Sequence, residues 1–420
     1  MFGRDYRLRC CGCGALFDDD GVQLDCASPH GPALLRSVYA ARSFSPGNDA
    51  ALTRYAAWLP RGRAIATAAR TAVFRSARLA AHLGLRNLWI AFNGWWPERG
   101  ATLRTATFKE LEAIAVIGRL APDETRTLVV ASAGNTAAAF ASIASELGVP
   151  VTIVLPLDAW EPLASLVRIG PSVRVVAIAG GTYDDAIALA RDLAAREGCI
   201  AEGGARNVAR RDGMGTTILA AVEAIGMLPD VYVQAVGSAA GALAAHEAAL
   251  RLIDDGRFGA RLPRLVLSQN APFTPIHDAW QHEAAELPHC TPLAARERTQ
   301  QIGAAVLANP APPYAAAGGV REALAASGGW TYAISNDEMM RAMLAFAELE
   351  GVDVEPAAGV AIASLGRARG DGVIGRDEAV LLNVTGGGRA RRTPVAEPQA
   401  PAVVVQHDDT GRAVDLVATN

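Results

Sequence analysis

The chain contains a single lysine, Lys109, although 39 of its side chains are lysine or arginine. An arginine guanidinium does not lose its proton in a protein, so a position that keeps lysine indicates a need for an amine that can become neutral and attack a carbonyl carbon. Apolar spacing predicts a helix from residue 108 to about 120. The positive end of the helix dipole favours a lowered pKa for an ammonium at this start. The alternative is an ordinary surface charge.

Three segments of small residues have the composition to bind the rest of a ligand that reacts with this amine. Residues 132–136 (Ser-Ala-Gly-Asn-Thr) join a predicted strand to a helix, where amides can hold a carboxylate and Asn135 can bond a phenolic oxygen. Residues 237–241 (Gly-Ser-Ala-Ala-Gly) offer donors and space for a phosphate, without the Lys-Ser/Thr of a nucleotide loop. Residues 383–388 place the Thr385 hydroxyl at the end of a strand. Read alone, each segment also fits a capped or tightly packed turn.

Together these features predict a site for pyridoxal 5'-phosphate. The amine would take the aldehyde, the Asn135 amide the ring hydroxyl, the 237–241 loop the phosphate and the Thr385 hydroxyl the pyridine nitrogen. The catalytic residue is predicted to be Lys109. The predicted cofactor-binding residues are Lys109, Asn135, Gly237, Ser238, Ala239, Ala240, Gly241 and Thr385.

Substrate groups are predicted to bind on both sides of this cofactor site. A carboxylate would lie on the amides and hydroxyls of 132–136, and an anionic leaving group would need cations, for which the arginines around 206–211 are candidates. The same basic run also fits a solvated turn. The predicted substrate-binding residues are Ser132, Ala133, Gly134, Thr136, Arg104, Arg206, Asn207 and Arg210.

Four of the six cysteines lie within the first 26 residues. Cys10 and Cys13 form a C-x-x-C pair, and Cys26 and His30 follow a short acidic stretch that resembles a hairpin tip. Three thiolates and one imidazole can form a tetrahedral Zn²⁺ site. The alternative is a ribbon of reduced thiols without metal. A disulfide framework is disfavoured in a long chain that is otherwise poor in cysteine.

The elements that would position these residues alternate along the chain. Apolar runs predict strands at 127–131, 151–155, 173–178, 231–236, 265–268 and 379–384, and helical spacing appears at 70–85, 183–196, 215–226 and 337–350. Strands separated by helices indicate parallel sheets in an α/β protein with two domains and a cleft between them. The predicted domains are an N-terminal cysteine-rich ribbon at 1–31, a large α/β domain at 32–122 and 206–392, a small α/β domain at 123–205 and a C-terminal tail or added edge segment at 393–420.

Composition excludes several classes of protein. The 420 residues are 51% hydrophobic and 20% charged, which is typical of folded domains and not of a disordered chain. A net charge of −4 gives no basic excess for nucleic acid, and no apolar run approaches the length of a membrane span. The charged N-terminus lacks the apolar core of a signal peptide, so the cytoplasm is the predicted location.

The chain resembles the threonine synthase-like group of fold-type II pyridoxal-phosphate enzymes, and within it the cysteate synthases. The resemblance runs from about residue 7 to 390 and includes the N-terminal cysteines with His30. Ala239 and Ala240 depart from the group, which usually has more Gly or Thr there, and the tail after Arg392 has no counterpart in it. The most specific matching segments are 92–100, 107–113, 131–136, 207–213, 234–238, 268–273 and 383–388.

The resemblance implies a tryptophan synthase β-like two-domain fold, a homodimer and a small-molecule reaction. That reaction is β-elimination from O-phospho-L-serine to an aminoacrylate, followed by addition of sulfite to give L-cysteate and phosphate. The alternatives are γ-elimination and replacement on O-phosphohomoserine, another nucleophile in secondary metabolism, or a non-catalytic regulatory protein with the same fold. The intact Lys109, Asn135 and Thr385 disfavour the last of these.

Overall fold

The computed structural model describes residues 4–395 and 399–407. Of the segment predicted as a C-terminal tail, residues 396–398 and 408–420 lie outside this description. The strands are β1 (Tyr6–Cys10), β2 (Leu16–Asp18), β3 (Leu35–Tyr39), β4 (Ala72–Arg75), β5 (Leu88–Phe92), β6 (Trp95–Trp96), β7 (Ala101–Thr102), β8 (Thr127–Ala131), β9 (Val151–Pro156), β10 (Val173–Ala179), β11 (Cys199–Ala201), β12 (Val231–Ala235), β13 (Arg264–Asn270), β14 (Trp330–Ile334), β15 (Val380–Val384) and β16 (Val403–Gln406). The helices are α1 (Arg78–Leu83), α2 (Lys109–Arg119), α3 (Asn135–Leu147), α4 (Trp160–Leu166), α5 (Tyr183–Ala194), α6 (Val208–Ile225), α7 (Ala240–Asp255), α8 (Pro275–Gln281), α9 (Pro292–Thr299), α10 (Val320–Ser327), α11 (Asn336–Glu350) and α12 (Pro356–Gly370).

A six-stranded sheet carries the ends of two predicted ligand loops. Its strand order is β14-β13-β12-β15-β5-β4, and every pair is parallel except the β4–β5 pair at one edge. All five residues of β12 and all five of β15 are buried, as expected for parallel strands covered on both faces. Because β12 and β15 are neighbours, the loops that follow them meet at the same edge of the sheet.

A five-stranded parallel sheet forms a second layer, in the order β11-β8-β9-β10-β16. Four of its strands come from residues 127–201, which lie within the segment 123–205 predicted as the small domain. The fifth strand, β16, comes from the predicted C-terminal segment and pairs with β10 at the sheet edge. Helix α3 follows β8 and packs against α2, so the 132–136 loop lies between the two sheets.

Helices α2 and α6 approach each other closely. A Cβ atom at Gly213 of α6 would overlap the backbone carbonyl of Leu111 on α2, so only glycine allows this contact. Asn207 caps α6 by accepting a hydrogen bond from the Ala209 amide at 3.0 Å. The packing brings the first turn of α6, which contains Arg210, beside the first turn of α2, which contains Lys109.

The N-terminal ribbon is a three-stranded antiparallel sheet, in the order β2-β1-β3. A buried ion pair joins it to the large domain: Arg119 Nη2 lies 2.6 Å from Asp19 Oδ1, and both side chains have no solvent exposure. Arg119 also donates to Asn207 Oδ1 at 2.9 Å and to the Gln23 carbonyl at 2.6 Å. The buried guanidinium of Arg119, at the end of α2, therefore fixes the ribbon to the large domain through its bonds to Asp19 and Gln23.

None of the helices in the part of the chain that the structure describes is both long and apolar enough to cross a membrane.

Candidate active site

Lys109 is the first residue of α2, as predicted, and its side chain is only 19% exposed. Its Nζ lies 3.0 Å from Glu112 Oε2, one turn further along the helix. Burial lowers the pKa of the Lys109 ammonium; the charge of Glu112 opposes this shift and that of Arg210 adds to it. The amine is therefore in surroundings that favour its neutral, nucleophilic form.

Glu112 connects Lys109 to residues from two other helices. Its Oε1 accepts a hydrogen bond from Thr136 Oγ1 at 2.8 Å and lies 3.2 Å from Arg210 Nη1. Arg210 in turn pairs with Glu202 at 2.5 Å. The Glu112 side chain is fully buried, and the side chains of Arg210 and Glu202 are nearly so. These residues therefore form a network of alternating charges from which water is excluded. Of the predicted substrate residues, the structure thus brings Thr136 and Arg210 to Lys109.

Phe108 brings the other predicted cofactor segments to the same place. Its backbone amide donates to the Thr385 carbonyl at 3.0 Å. A Cβ atom at Gly241 would lie 2.7 Å from the Phe108 ring, so the 237–241 loop also packs against this residue. Lys109, the Gly-rich loop and Thr385 are therefore neighbours in space, although they are far apart in the chain.

The 237–241 loop has the form of an anion site. It follows β12 and leads into the 16-residue helix α7, whose N-terminus carries free amides and a partial positive charge. Ala239 adopts a left-handed conformation with φ of 57°, which is uncommon for a residue with a side chain. A Cβ atom at Gly237 would lie 2.9 Å from the Leu307 carbonyl oxygen, so the residues 305–307 cover this side of the loop.

These residues fit a phosphorylated ring that carries an aldehyde. The Lys109 amine lies 5.0 Å from the centre of the Phe108 ring, and the 237–241 loop packs against the same ring. Thr107 Oγ1 is buried and has no hydrogen-bond partner among the described residues, so a polar atom next to the amine remains available to a ligand. Pyridoxal phosphate would be held by Lys109 through its aldehyde carbon and by the backbone of 237–241 through its phosphate.

Asn135 begins α3 and is already hydrogen-bonded by a residue that the sequence did not single out. Arg389 Nη2 donates to Asn135 Oδ1 at 2.7 Å, and Arg389 Nε lies 2.8 Å from Glu355 Oε1. The Glu355 amide donates to the Gly386 carbonyl at 3.0 Å, next to Thr385. Arg389 therefore links the Asn135 loop to the Thr385 loop across the site.

A second unpredicted arginine, Arg392, follows on the same segment. It donates to the Leu166 carbonyl at 3.3 Å and forms no ion pair with a carboxylate in residues 4–395 or 399–407. Burial lowers the pKa of Arg392; Glu110 opposes the shift, whereas the charges of Arg389 and Arg104 add to it. Arg392 is thus close enough to Arg389 and Arg104 for their positive charges to act on it. Only the position of these arginines after the Gly386-Gly387-Gly388 turn signals them in the sequence.

Several other predicted substrate residues have structural partners. Ser132 Oγ accepts from the Ala137 amide at 3.1 Å and from the Gly134 amide at 3.3 Å, so it stabilises the start of α3. Arg104 is 44% exposed and pairs with Glu146. Ala133 has no side-chain donor and contributes backbone only. Substrate binding by these residues stays a prediction.

Arg206 and Asn207 are turned toward the ribbon side of α6. Arg206 Nη1 lies 2.7 Å from Asp25 Oδ2, and both side chains are more than half exposed. Asn207 accepts from Arg119 and from the Ala209 amide, and donates to the Glu202 carbonyl at 2.7 Å. In this structure both side chains make contacts that hold the fold together, and neither contacts Lys109.

Residues 66–386 match the family model described as "Pyridoxal-phosphate dependent enzyme". The chain belongs to this family. Pyridoxal phosphate is accordingly its cofactor, as the sequence predicted, and the chain is an enzyme of the elimination and replacement class.

Curated relatives place this pyridoxal-phosphate enzyme more closely. It is 46% identical over 388 residues to the cysteate synthase of Methanoculleus marisnigri, covering 92% of this chain and 89% of that one. It is 48% identical over 391 residues to the cysteate synthase of Methanosphaerula palustris, covering 92% and 91%. The chain therefore belongs to the cysteate synthase family, which confirms the resemblance seen in its motifs.

Solved structures confirm the fold-type II architecture. Maize serine racemase aligns with a TM-score of 0.57 at 15% identity, covering 76% of this chain and 89% of that one. A threonine deaminase isoform from Solanum lycopersicum aligns with a TM-score of 0.53 at 15% identity, covering 85% and 89%. At such identities the likeness concerns the fold alone.

Proposed function

We propose that this pyridoxal-phosphate enzyme replaces the phosphate of O-phospho-L-serine with sulfite, giving L-cysteate and inorganic phosphate. The observation that carries the proposal is the 48% identity with a cysteate synthase along 92% of the chain. Arg389 and Arg392 support it, because they follow the Thr385 loop and both the leaving group and the nucleophile are anions.

In the proposed reaction the chain's own residues handle one proton and two anions. Bound pyridoxal phosphate supplies an electron sink for the substrate's Cα. At rest Lys109 would hold the cofactor. As a free amine, Lys109 Nζ would accept the α-proton of the substrate while the Cβ–O bond breaks and phosphate leaves. Sulfite forms the Cβ–S bond through its sulfur lone pair, and Lys109 Nζ returns a proton to Cα. Atoms balance without an oxidant or a reductant.

The cluster around Glu112 would keep Lys109 ready for both transfers. Glu112 Oε2 lies 3.0 Å from Lys109 Nζ, while Glu112 Oε1 contacts Thr136 and Arg210. Because Arg210 is neutralised by Glu112 and Glu202, it is a poor candidate for binding a further dianion. Arg389 has one carboxylate partner, Glu355, and Arg392 has none among residues 4–395 and 399–407, so both are better candidates.

The substrate is tested by measuring phosphate release and sulfonate formation in parallel. We expect the enzyme to release phosphate from phosphoserine and to form cysteate only when sulfite is added. Turnover of phosphohomoserine should not exceed background. Phosphate release from phosphoserine without any sulfonate product would overturn sulfite as the nucleophile. Preferential consumption of phosphohomoserine would overturn the β-replacement itself.

Anion binding by Arg389 is a separate expectation. Substituting Arg389→Gln removes one charged hydrogen-bond donor, a loss of about 1.5–3 kcal/mol, so the KM for sulfite or phosphoserine rises about 10- to 150-fold. Arg391→Gln is the matched control, because Arg391 lies on the same turn and contacts Glu98 and the Gly351 carbonyl instead. Steady-state kinetics on both variants decide the matter. Unchanged KM values for both substrates in the Arg389 variant would contradict the assignment.

The homodimer and the cytoplasmic location stay predictions. Sedimentation of the holoenzyme tests the first of these.

A further inference from the structure

The four metal-binding side chains predicted in the N-terminal ribbon meet at one point. The donor atoms of Cys10, Cys13, Cys26 and His30 all lie within 4.8 Å of one another. Cys13 Sγ and Cys26 Sγ are 3.7 Å apart, and Cys10 Sγ lies 3.2 Å from His30 Nε2. We propose that these residues bind one structural Zn²⁺ ion, a site separate from the proposed reaction.

The distances fit the size of a tetrahedral zinc site. With Zn–S near 2.3 Å and Zn–N near 2.0 Å, neighbouring donors in a tetrahedron are about 3.5–3.8 Å apart. The 3.7 Å and 3.2 Å separations lie close to this range, and since no pair is more than 4.8 Å apart, the others need only a small contraction. Three sulfurs and one nitrogen are the ligand set that zinc prefers, whereas Ca²⁺ and Mg²⁺ take oxygen.

The His30 ring is oriented as a ligand. Its Nδ1–H donates to the Gly31 carbonyl at 2.6 Å, which leaves the lone pair of Nε2 directed toward Cys10 Sγ. A Cβ atom at Gly12 would lie 3.3 Å from this ring, so a glycine between Cys10 and Cys13 leaves room for the ring. The Gly12 amide also donates to Cys10 Sγ at 3.3 Å, as amides do to metal-bound thiolates.

Cys11 lies outside the cluster and docks the ribbon. A Cβ atom at Gly318 would lie 2.8 Å from Cys11 Cβ, and the Leu34 amide donates to the Ala317 carbonyl at 2.9 Å. With four protein ligands the ion would have no open position for a substrate, so its role would be to hold the ribbon in shape. Metal loss should therefore lower thermal stability more than it changes the proposed reaction.

The holoenzyme purified from zinc-containing medium is the test, with metal content measured by mass spectrometry. We expect about one zinc per chain, lost in the Cys13→Ser/Cys26→Ser double variant and kept in Cys290→Ser, whose exposed thiol lies outside the cluster. Co²⁺ introduced into the metal-free protein should give the visible absorption of tetrahedral cobalt with thiolate ligands. Because the unsubstituted chain is measured first, a variant that fails to fold does not obscure the result.

Two results would overturn the proposal. One is unsubstituted protein that carries no stoichiometric zinc and gives no tetrahedral cobalt spectrum after reduction. The other is an intact mass two hydrogens lower than the sequence requires, with Cys13 and Cys26 joined by a disulfide in protein kept under reducing conditions. Neither result would affect the proposed β-replacement, since no ligand of this site contacts Lys109.

Discussion

Substituting Lys109→Ala is expected to lower turnover of phosphoserine by at least about 10³-fold, because the general base and the covalent attachment point of the cofactor are lost together. The variant should also lose the visible absorption of the bound cofactor. Stopped-flow and steady-state assays with saturating cofactor measure the first effect. No second lysine exists in the chain to take over the role.

Lys109→Arg separates chemistry from packing. Arginine keeps a cation next to Glu112, whose carboxylate is 3.0 Å from Nζ and fully buried, but it has no amine that attacks an aldehyde. If the lysine served only to neutralise Glu112, this variant would recover most of the activity. We expect it to be as inactive as Lys109→Ala while unfolding at a higher denaturant concentration than that variant.

Asp19→Asn is expected to lower the free energy of unfolding by about 3–5 kcal/mol, because it leaves the fully buried Arg119 guanidinium without its counter-charge. The neighbouring substitution Asp18→Asn is the matched control. Asp18 is 92% exposed and pairs with Arg7, which is itself 52% exposed, so its loss should change stability by less than about 1 kcal/mol. Denaturant titration followed by circular dichroism measures both values. Equal effects of the two substitutions would contradict the importance given to the buried pair.

The same pair predicts a dependence on pH. Burial alone would raise the pKa of Asp19, but hydrogen bonds and the charge of Arg119 hold it below its ordinary value. A carboxyl with a lowered folded-state pKa stabilises the protein above its unfolded-state pKa, about 3.9, and this stabilisation is lost as the pH falls through the folded-state value. The stability difference between the unsubstituted chain and Asp19→Asn should therefore narrow below about pH 4.

The sequence predicts most of the sheet strands closely. Strands β8, β9 and β12 lie within one residue of their predicted bounds, because parallel strands buried on both faces are short, continuous apolar runs. The helical interpretation of 70–85 is wrong at its start. Residues Ala72–Arg75 form an edge strand against β5, and only Arg78–Leu83 is helical. The spacing of alanine and arginine in this segment is that of a helix. However, the run Thr71-Ala72-Val73-Phe74 contains the start of β4, whose pairing with β5 cannot be seen from local spacing.

In the candidate site too, the sequence predicts some residues and not others. Lys109 and the three small-residue loops carry local signals. The structure brings the 237–241 and Thr385 loops to Phe108, and the 132–136 loop to Glu112 through Thr136. Arg389 carries no such signal, because its partners Asn135 and Glu355 are more than 30 residues away. Glu112 lies one turn from Lys109, but its contacts with Thr136 and Arg210 depend on the fold. Helix α6 begins seven residues earlier than predicted. Its first turns contain charges that resemble a solvated turn, yet Arg211 and Asp212 are buried against Glu247 and Arg251.

Borohydride reduction of the holoenzyme, followed by tryptic digestion and mass spectrometry, locates the cofactor's attachment point. Only Lys109 and the chain's α-amine can form a reducible bond to the cofactor. We expect the pyridoxyl mass on the peptide 105–119, cut after Arg104 and Arg119 and left whole at Lys109. Recovery of the two fragments 105–109 and 110–119, which trypsin releases only if Lys109 is unmodified, from enzyme that converted phosphoserine before reduction would contradict the role of Lys109 on which the proposed reaction rests.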